Sequence, residues 1–453
     1  MFDTLIDRFA QKAPVATMVR GLLAHSLSAE RLDDIFRAKA ERQYEGELLF
    51  SSVVELLSLV VTKSQKSLHA AYQAHHEELS VSLTAFYDKL VGMELPVIRA
   101  LVRDTAQRMR AVAQQLEPDR QSLLAGYELR VLDGSHLAAS EHRIKETRRL
   151  RGGPLPGHSL VILDPTRGLV VDMLPCADGH AQERSLLIEL ADEFQPGQLW
   201  IADRNFCTVL FLHEVAVSGA SFVVRRHAGL PLERLGPSQP AGRCSSGKLF
   251  EQAGSVPDGL GNSLRVRIIR LRLDRPTESG DNEIEILTNL PSTTISAAAV
   301  ADEYHRRWSI EAVFGELTLS LRGEIDTLGY PGAALLGYAI ALVIYNLLSI
   351  VKTTIRVVHG VEAAEQVSMY YLADEISSTW RGMEIVLPAE TWRERFGSCD
   401  ARQLASRLRK IAAHVDVRRY LKHPRRSPKQ PRPKRIGSSP HVSTERLLRQ
   451  RKK

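Results

Sequence analysis

The chain has 453 residues, 44% of them hydrophobic and 25% charged, with a formal net charge of +7. These proportions are globular and exclude wholesale disorder, collagen-like repeats and a disulfide scaffold. At roughly 150 residues per domain the length predicts about two or three domains. The four cysteines (Cys176, Cys207, Cys244 and Cys399) form no Cys-x-x-Cys pair. That points to a reducing compartment and away from a cysteine-rich zinc site. The opening residues show no basic stretch followed by an apolar core, so no leader peptide is expected.

Residues 1–125 read as helical. Apolar residues recur at helix period in Leu48–Val61 and Leu95–Leu116, with few turn residues inside them. The texture changes at Tyr127. YELRVLD (127–133) reads as a strand, and HSLVILD (158–164) and LVVDML (169–174) read as a hairpin around Pro165–Gly168. A helix is predicted over Glu183–Phe194, a strand over Gln198–Asp203, another helix after it, and a strand over Ser221–Arg226. The β-β-β-α-β-α-β order predicts a mixed α/β sheet. Residues 228–262 are rich in Gly, Pro and Ser and read as loops. The runs 264–273 and 283–290 then read as strands of an all-β insert.

One long helix is predicted from about Ser296 to Arg322. After it, residues 327–351 carry no charge and are long enough to cross a bilayer. Pro331, Asn346 and the lack of a second such segment favour a buried core helix over Leu335–Ile350 instead. Residues 365–420 read as helical. Residues 418–453 hold 14 Lys/Arg against one acid, Glu445, so the rest of the chain is mildly acidic. From Lys422 onward five prolines and little apolar surface predict disorder, and the charge predicts a nucleic-acid grip.

Two aspartates close apolar strands, Asp133 in LRVLD and Asp203 in LWIAD. A carboxylate there can project into the crevice at the strand ends of an α/β sheet, although turn-capping aspartates are common. On the predicted long helix, Tyr304, Arg307, Glu311 and Thr318 fall on one stripe beside the apolar stripe of Ile310, Val313, Phe314, Leu317 and Leu321. Arg307 and Glu311 alone could be an ordinary ion pair across one helical turn.

LDGSHL, ADRNF and YHRRWSIEAVFGEL together resemble the acidic-triad (DDE) transposases, nearest to the insertion-sequence-4 family. The mark of that family is Tyr-x2-Arg-x3-Glu-x6-Lys, and Tyr304, Arg307 and Glu311 match it. Thr318 stands at the lysine position, with Arg322 one turn on. The resemblance covers about residues 20–420. It implies a ribonuclease-H-like mixed α/β sheet interrupted by the all-β insert, preceded by a helical domain and followed by a helical region and the basic disordered tail. The expected boundaries are 1–125 for a helical domain binding DNA ends, 126–227 and 295–360 for the two parts of the catalytic domain, 228–294 for the insertion, 361–420 for the helical region and 421–453 for the tail.

The resemblance also implies that Asp133, Asp203 and Glu311 are the catalytic, metal-binding triad. Two Mg²⁺ ions per site, with Mn²⁺ as substitute, would clamp the attacking and leaving oxygens of phosphoryl transfer. Tyr304, Arg307 and Arg322 would contact phosphate near the site. Arg425, Arg426, Lys429, Arg432, Lys434 and Arg435 would make nonspecific DNA contacts. The implied partners are double-stranded DNA and a second copy of the chain, with no membrane, in the bacterial cytoplasm at the nucleoid. A metal-dependent nuclease that does not transpose, or a non-catalytic DNA-binding descendant, are the alternatives; the presence of all three acids disfavours the second. Among other residues, Cys176 and His180 are weak as a zinc pair, His136 is expected to pack, Asp172 is a spare strand carboxylate, and Trp308 is expected in a core or interface.

Overall fold

A computed structural model describes residues 2–43, 46–141, 144–277, 280–423 and 442–451. Among the described residues ten strands precede the C-terminal segment: β1 (Glu128–His136), β2 (Pro154–Leu155), β3 (His158–Asp164), β4 (Leu169–Cys176), β5 (Gln198–Ala202), β6 (Ser221–Arg225), β7 (Glu233–Cys244), β8 (Gly247–Pro257), β9 (Ser263–Leu273) and β10 (Glu283–Thr288). Nine of them form one sheet in the order β4-β3-β1-β5-β6-β10-β9-β8-β7. β1, β5 and β6 run parallel at its centre, and antiparallel strands flank them on both sides. The architecture is therefore mixed α/β, as the element order predicts.

Strand alternation divides the core. Leu129, Val131, Leu199 and Ile201 face the helices Leu95–Leu116 and Pro331–His359, in a cluster shared with the N-terminal helical residues. Leu132, Trp200, Ala202 and Phe222 face the opposite side, against the helices at 183–193 and 209–217.

The insert differs from expectation. Residues 233–257, read as loops, form the hairpin β7–β8, and β10 pairs with β6, so this region extends the main sheet. β7 is the exposed edge strand and its register slips twice, between Leu235 and Gln239 and between Pro240 and Arg243. An edge strand tolerates Pro237 and Pro240 because one side of it needs no donors. The loop-like composition follows from that edge position.

The helix predicted over 296–322 is also corrected. It breaks into Ala297–His305 and Trp308–Leu319. At the junction the bonds tighten to i→i−3: Arg306 N–H to Glu303, Arg307 N–H to Tyr304, Ser309 N–H to Arg306. The segment Glu183–Glu193 winds as 3₁₀ turns in place of the expected α-helix.

The helix that carries the charge-free stretch runs Pro331–His359 and gains Lys352 and Arg356 only towards its end. It is long and apolar enough to cross a membrane, but 89% of its most apolar window is buried inside the protein. Asn346, its one amide in that window, has a definite role. The β3–β4 register shifts between Ile162 and Leu163, where the partner passes from Asp172 to Val170, and Asn346 accepts from Val170 N–H at 2.8 Å and donates to Val170 C=O at 2.8 Å. Asn346→Leu removes both partners from buried backbone groups, each worth about 1–3 kcal/mol when left unpaired. We expect urea unfolding to show a loss of at least about 2 kcal/mol. A smaller loss would mean that β4 finds other partners.

The tail also differs in part. Val442–Ser443 pairs with β2 as β11, and Thr444–Arg451 is helical. Ser443 Oγ and Arg446 Nε both donate to Asp178 at 2.6 Å, which anchors a segment predicted to be disordered. Tyr420 is buried and donates its hydroxyl to Glu375, whose carboxylate also accepts from Val15 and Ala16 N–H. Arg425, Arg426, Lys429, Arg432, Lys434 and Arg435 lie outside the described residues.

Candidate active site

The parallel register pairs Leu132 of β1 with Ala202 of β5, which puts Asp133 and Asp203 side by side at the ends of neighbouring central strands. By alternation both lie on the face that carries Leu129, Val131, Leu199 and Ile201. Ile310, Val313 and Leu317 of the helix Trp308–Leu319 pack into the same cluster and so carry Glu311 to this side.

Asp133 Oδ1 accepts from Gly134 N–H at 2.9 Å, and Oδ2 accepts from Arg307 Nη1 at 3.3 Å. Asp203 Oδ1 accepts from Asn205 N–H at 2.7 Å and caps the short turn Arg204–Phe206. Arg307 Nη2 donates to Glu311 at 2.7 Å. Arg307 thus bridges the third expected acid to the first. It sits at the break between the two helices, where the tight turns bring it against Tyr304.

The electrostatics reflect crowding. Burial pushes the Asp133 carboxyl up to about 6, Asp203 and Glu183 add to the rise, and Gly134 N–H and Arg307 oppose it. Burial also raises the Tyr304 phenol, against the pull of Arg307 and Arg225. Burial disfavours the Arg307 charge, but Tyr304, Glu311 and Asp133 outweigh it and hold that guanidinium above its ordinary value.

The structure does not bring every expected residue together. The Glu311 side chain is 52% exposed and is held by Arg307. Among the described residues no three His, Cys, Asp or Glu side chains are grouped closely enough to hold one metal ion. Arg322 is turned to the N-terminal helices, where Nη1 donates to Lys66 C=O at 2.6 Å. Thr318 Oγ1 donates to Phe314 C=O at 3.1 Å on its own helix. Trp308, expected in a core or interface, is 57% exposed, which excludes the core, and its edge meets His305. Asp172 is paired with Arg99 at 2.8 Å on β4. Cys176 Sγ donates to Asp178 C=O at 3.6 Å. His136 stacks on buried His158 with ring centroids 5.0 Å apart.

Two residues at the site escaped the sequence reading, Glu183 and Asn205. Asn205 lies inside ADRNF and so was within reach of it. Nothing local marks Glu183, which opens a helix some fifty residues past Asp133.

Residues 124–347 match the transposase DDE domain. No curated protein matches the chain. The matched stretch holds β1 through β10, Asp133, Asp203, Tyr304, Arg307 and Glu311. A transposase DDE domain supports a DDE transposase, an enzyme that cuts DNA, and divalent metals are the usual cofactors of such domains. The donor set here is compatible with a hard cation. Asp133 and Asp203 offer only oxygens, which suit magnesium or manganese.

Proposed function

We propose that this chain is a transposase of the insertion-sequence-4 type, which binds the inverted ends of its element, cuts them with Mg²⁺ and joins them to target DNA. The observation that carries the reading is the pairing of Asp133 with Asp203 at adjacent strand ends, with Arg307 linking Asp133 to Glu311. Asp133 and Asp203 would hold the metal, joined by Glu311 once its contact with Arg307 opens. Bound divalent ions would supply Lewis-acid polarisation at the scissile phosphate and at the attacking oxygen.

The protein's own groups bind and orient. Arg307 presents a planar fork suited to two phosphate oxygens. A phosphate that engages this guanidinium competes with Glu311 for it, so DNA entry and release of Glu311 are linked. Tyr304 offers a phenolic O–H that burial keeps protonated. The helical residues 1–125 are the proposed reader of the element ends, and two subunits would hold two ends together in the cytoplasm at the nucleoid.

The test is cleavage of linear DNA carrying the repeats that flank the coding region, with Mg²⁺ and with chelator. Mg²⁺-dependent nicking at the repeat ends is expected. Cutting that ignores the repeats would favour a plain nuclease, and no metal-dependent cutting at all would sink the reading.

The basic stretch 424–441 is proposed as a backbone grip. Six cations lie there: Arg425, Arg426, Lys429, Arg432, Lys434 and Arg435. Replacing all six by Gln leaves the anchored segment 442–451 intact. If about half of them touch phosphate, the slope of log K against log salt should flatten by roughly 3, at about 0.9 per phosphate contact. Preference for the repeats should survive, because phosphate contacts do not read bases. An unchanged slope in titrations at several salt concentrations would remove these residues from the interface.

A further inference from the structure

Glu183 stands beside the aspartate pair on the other face of the sheet, as the first residue of the 3₁₀ segment, with its side chain only 17% exposed. Its Oε2 accepts from Asn205 Nδ2 at 2.6 Å. The backbone N–H of the same Asn205 holds Asp203. Its Oε1 lies over Gly134, where an added Cβ would fall 1.9 Å from it, far inside contact distance. The backbone N–H of that glycine holds Asp133. One carboxylate therefore lies between the two residues whose N–H groups orient the two aspartates. His136 Nδ1 is 3.6 Å from Oε1 and closes the outer side of the carboxylate.

We propose that Glu183 is a positioning residue of this site: it ties the end of β1 to the turn after β5 and so fixes the spacing and orientation of Asp133 and Asp203. This rests on the reading of those aspartates as cation ligands given above. Gly134 follows from the same arrangement. Its backbone does not lie in the left-handed region that favours glycine; glycine is needed because a side chain at that position would displace Glu183. Asn205 has a double role, with the backbone N–H serving Asp203 and the side-chain amide serving Glu183. Groups that orient metal ligands typically change metal affinity by 10–100-fold when removed, which sets the expected size of the effect.

The experiment measures Mn²⁺ binding to the full chain without DNA, by loss of the free-ion electron paramagnetic resonance signal. It compares wild type with Asp133→Asn, Glu183→Ala, Glu183→Gln, Asn205→Ala and Gly134→Ala. Circular dichroism and thermal melting report folding. Asp133→Asn should lose most of the binding. Glu183→Ala should weaken binding about 10–100-fold, and Gly134→Ala and Asn205→Ala should each weaken it in the same direction. Glu183→Gln keeps an oxygen to accept from Asn205 and should recover most of the loss.

If Glu183→Ala does not fold, Asn205→Ala opens the same bridge from its other end and decides the matter. Unchanged Mn²⁺ affinity in the folded bridge variants overturns the proposal. A Glu183→Gln variant as weak as Glu183→Ala also overturns it, because the charge would then matter and the bridge would not. Unchanged affinity in Asp133→Asn instead overturns the assignment of the aspartates themselves, whatever Glu183 does.

Discussion

Asp133→Asn, Asp203→Asn and Glu311→Gln should each lower the rate of DNA end cleavage by about 10³-fold or more, which corresponds to roughly 4 kcal/mol of transition-state stabilisation. Each swap keeps the shape of the side chain and removes one anionic oxygen donor. Asp133 and Asp203 sit at adjacent strand ends, so the loss of either leaves only one carboxylate of the pair. Glu311→Gln has a second consequence. It weakens the 2.7 Å charge-assisted contact that engages Arg307, leaving that side chain to Asp133 and Tyr304. Binding of the element ends should stay within a few-fold of wild type, since the proposed end-reading helices and basic stretch are untouched by these swaps. The measurement is single-turnover cleavage at saturating DNA, with binding measured in parallel. Wild-type-like rates in any one variant would show that a different acid serves there. Asp172 is a poor substitute, because it lies on β4, separated from β1 by β3, and is paired there with Arg99.

The second large effect is on stability, and it runs opposite to the loss of activity. Burial, with Asp203 and Glu183 adding to it, raises Asp133 from an ordinary 3.8 to about 6. In the unfolded chain the group has its ordinary value. Between about pH 4 and pH 6 the folded protein therefore holds a proton that the unfolded chain has lost. Stability from this group is fully present below pH 4, declines as pH rises through that window, and stays lost above it. At about 1.4 kcal/mol per unit, and after discounting for partial solvent contact, the loss is about 2 kcal/mol at neutral pH.

Asp133→Asn has no such proton to lose. In chelator, its unfolding free energy relative to wild type should rise by about 2 kcal/mol from pH 4 to pH 7. Any change in the contact with Arg307 adds an offset independent of pH, so the slope is the quantity to read. A difference between the two proteins that stays constant over this range would show that Asp133 is not electrostatically strained.

The local code of the chain determined much of the fold. Apolar runs such as LRVLD, HSLVILD and LWIAD specify strands whatever their neighbours, and the observed strands begin at or within one residue of the expected positions. The period of Leu95–Leu116 specifies one amphipathic helix, and its bounds agree. Asp133, Asp203 and the Tyr304–Glu311 spacing were legible because type and interval alone single them out. Composition failed where the tertiary setting changes its meaning. Pro237 and Pro240 read as loop, but they sit in an edge strand that has a partner on only one side. The basic C-terminus read as disordered, yet Asp178 offers residues 443 and 446 a carboxylate that local sequence does not foretell.

The helix that carries Glu311 read as continuous. Its break at Arg306–Arg307 separates two helices whose apolar residues, Val300 on the first and Ile310 and Val313 on the second, are buried in the same core. That break places Arg307 between Asp133 and Glu311. The contact of Glu183 with Gly134 and Asn205 was also beyond sequence, because it depends on β1 and β5 being parallel neighbours while the 183–193 segment covers their far face. Residue type and spacing name the acids. Only the pairing of strands and the packing of helices decide which of them meet, and which cation or amide stands between them.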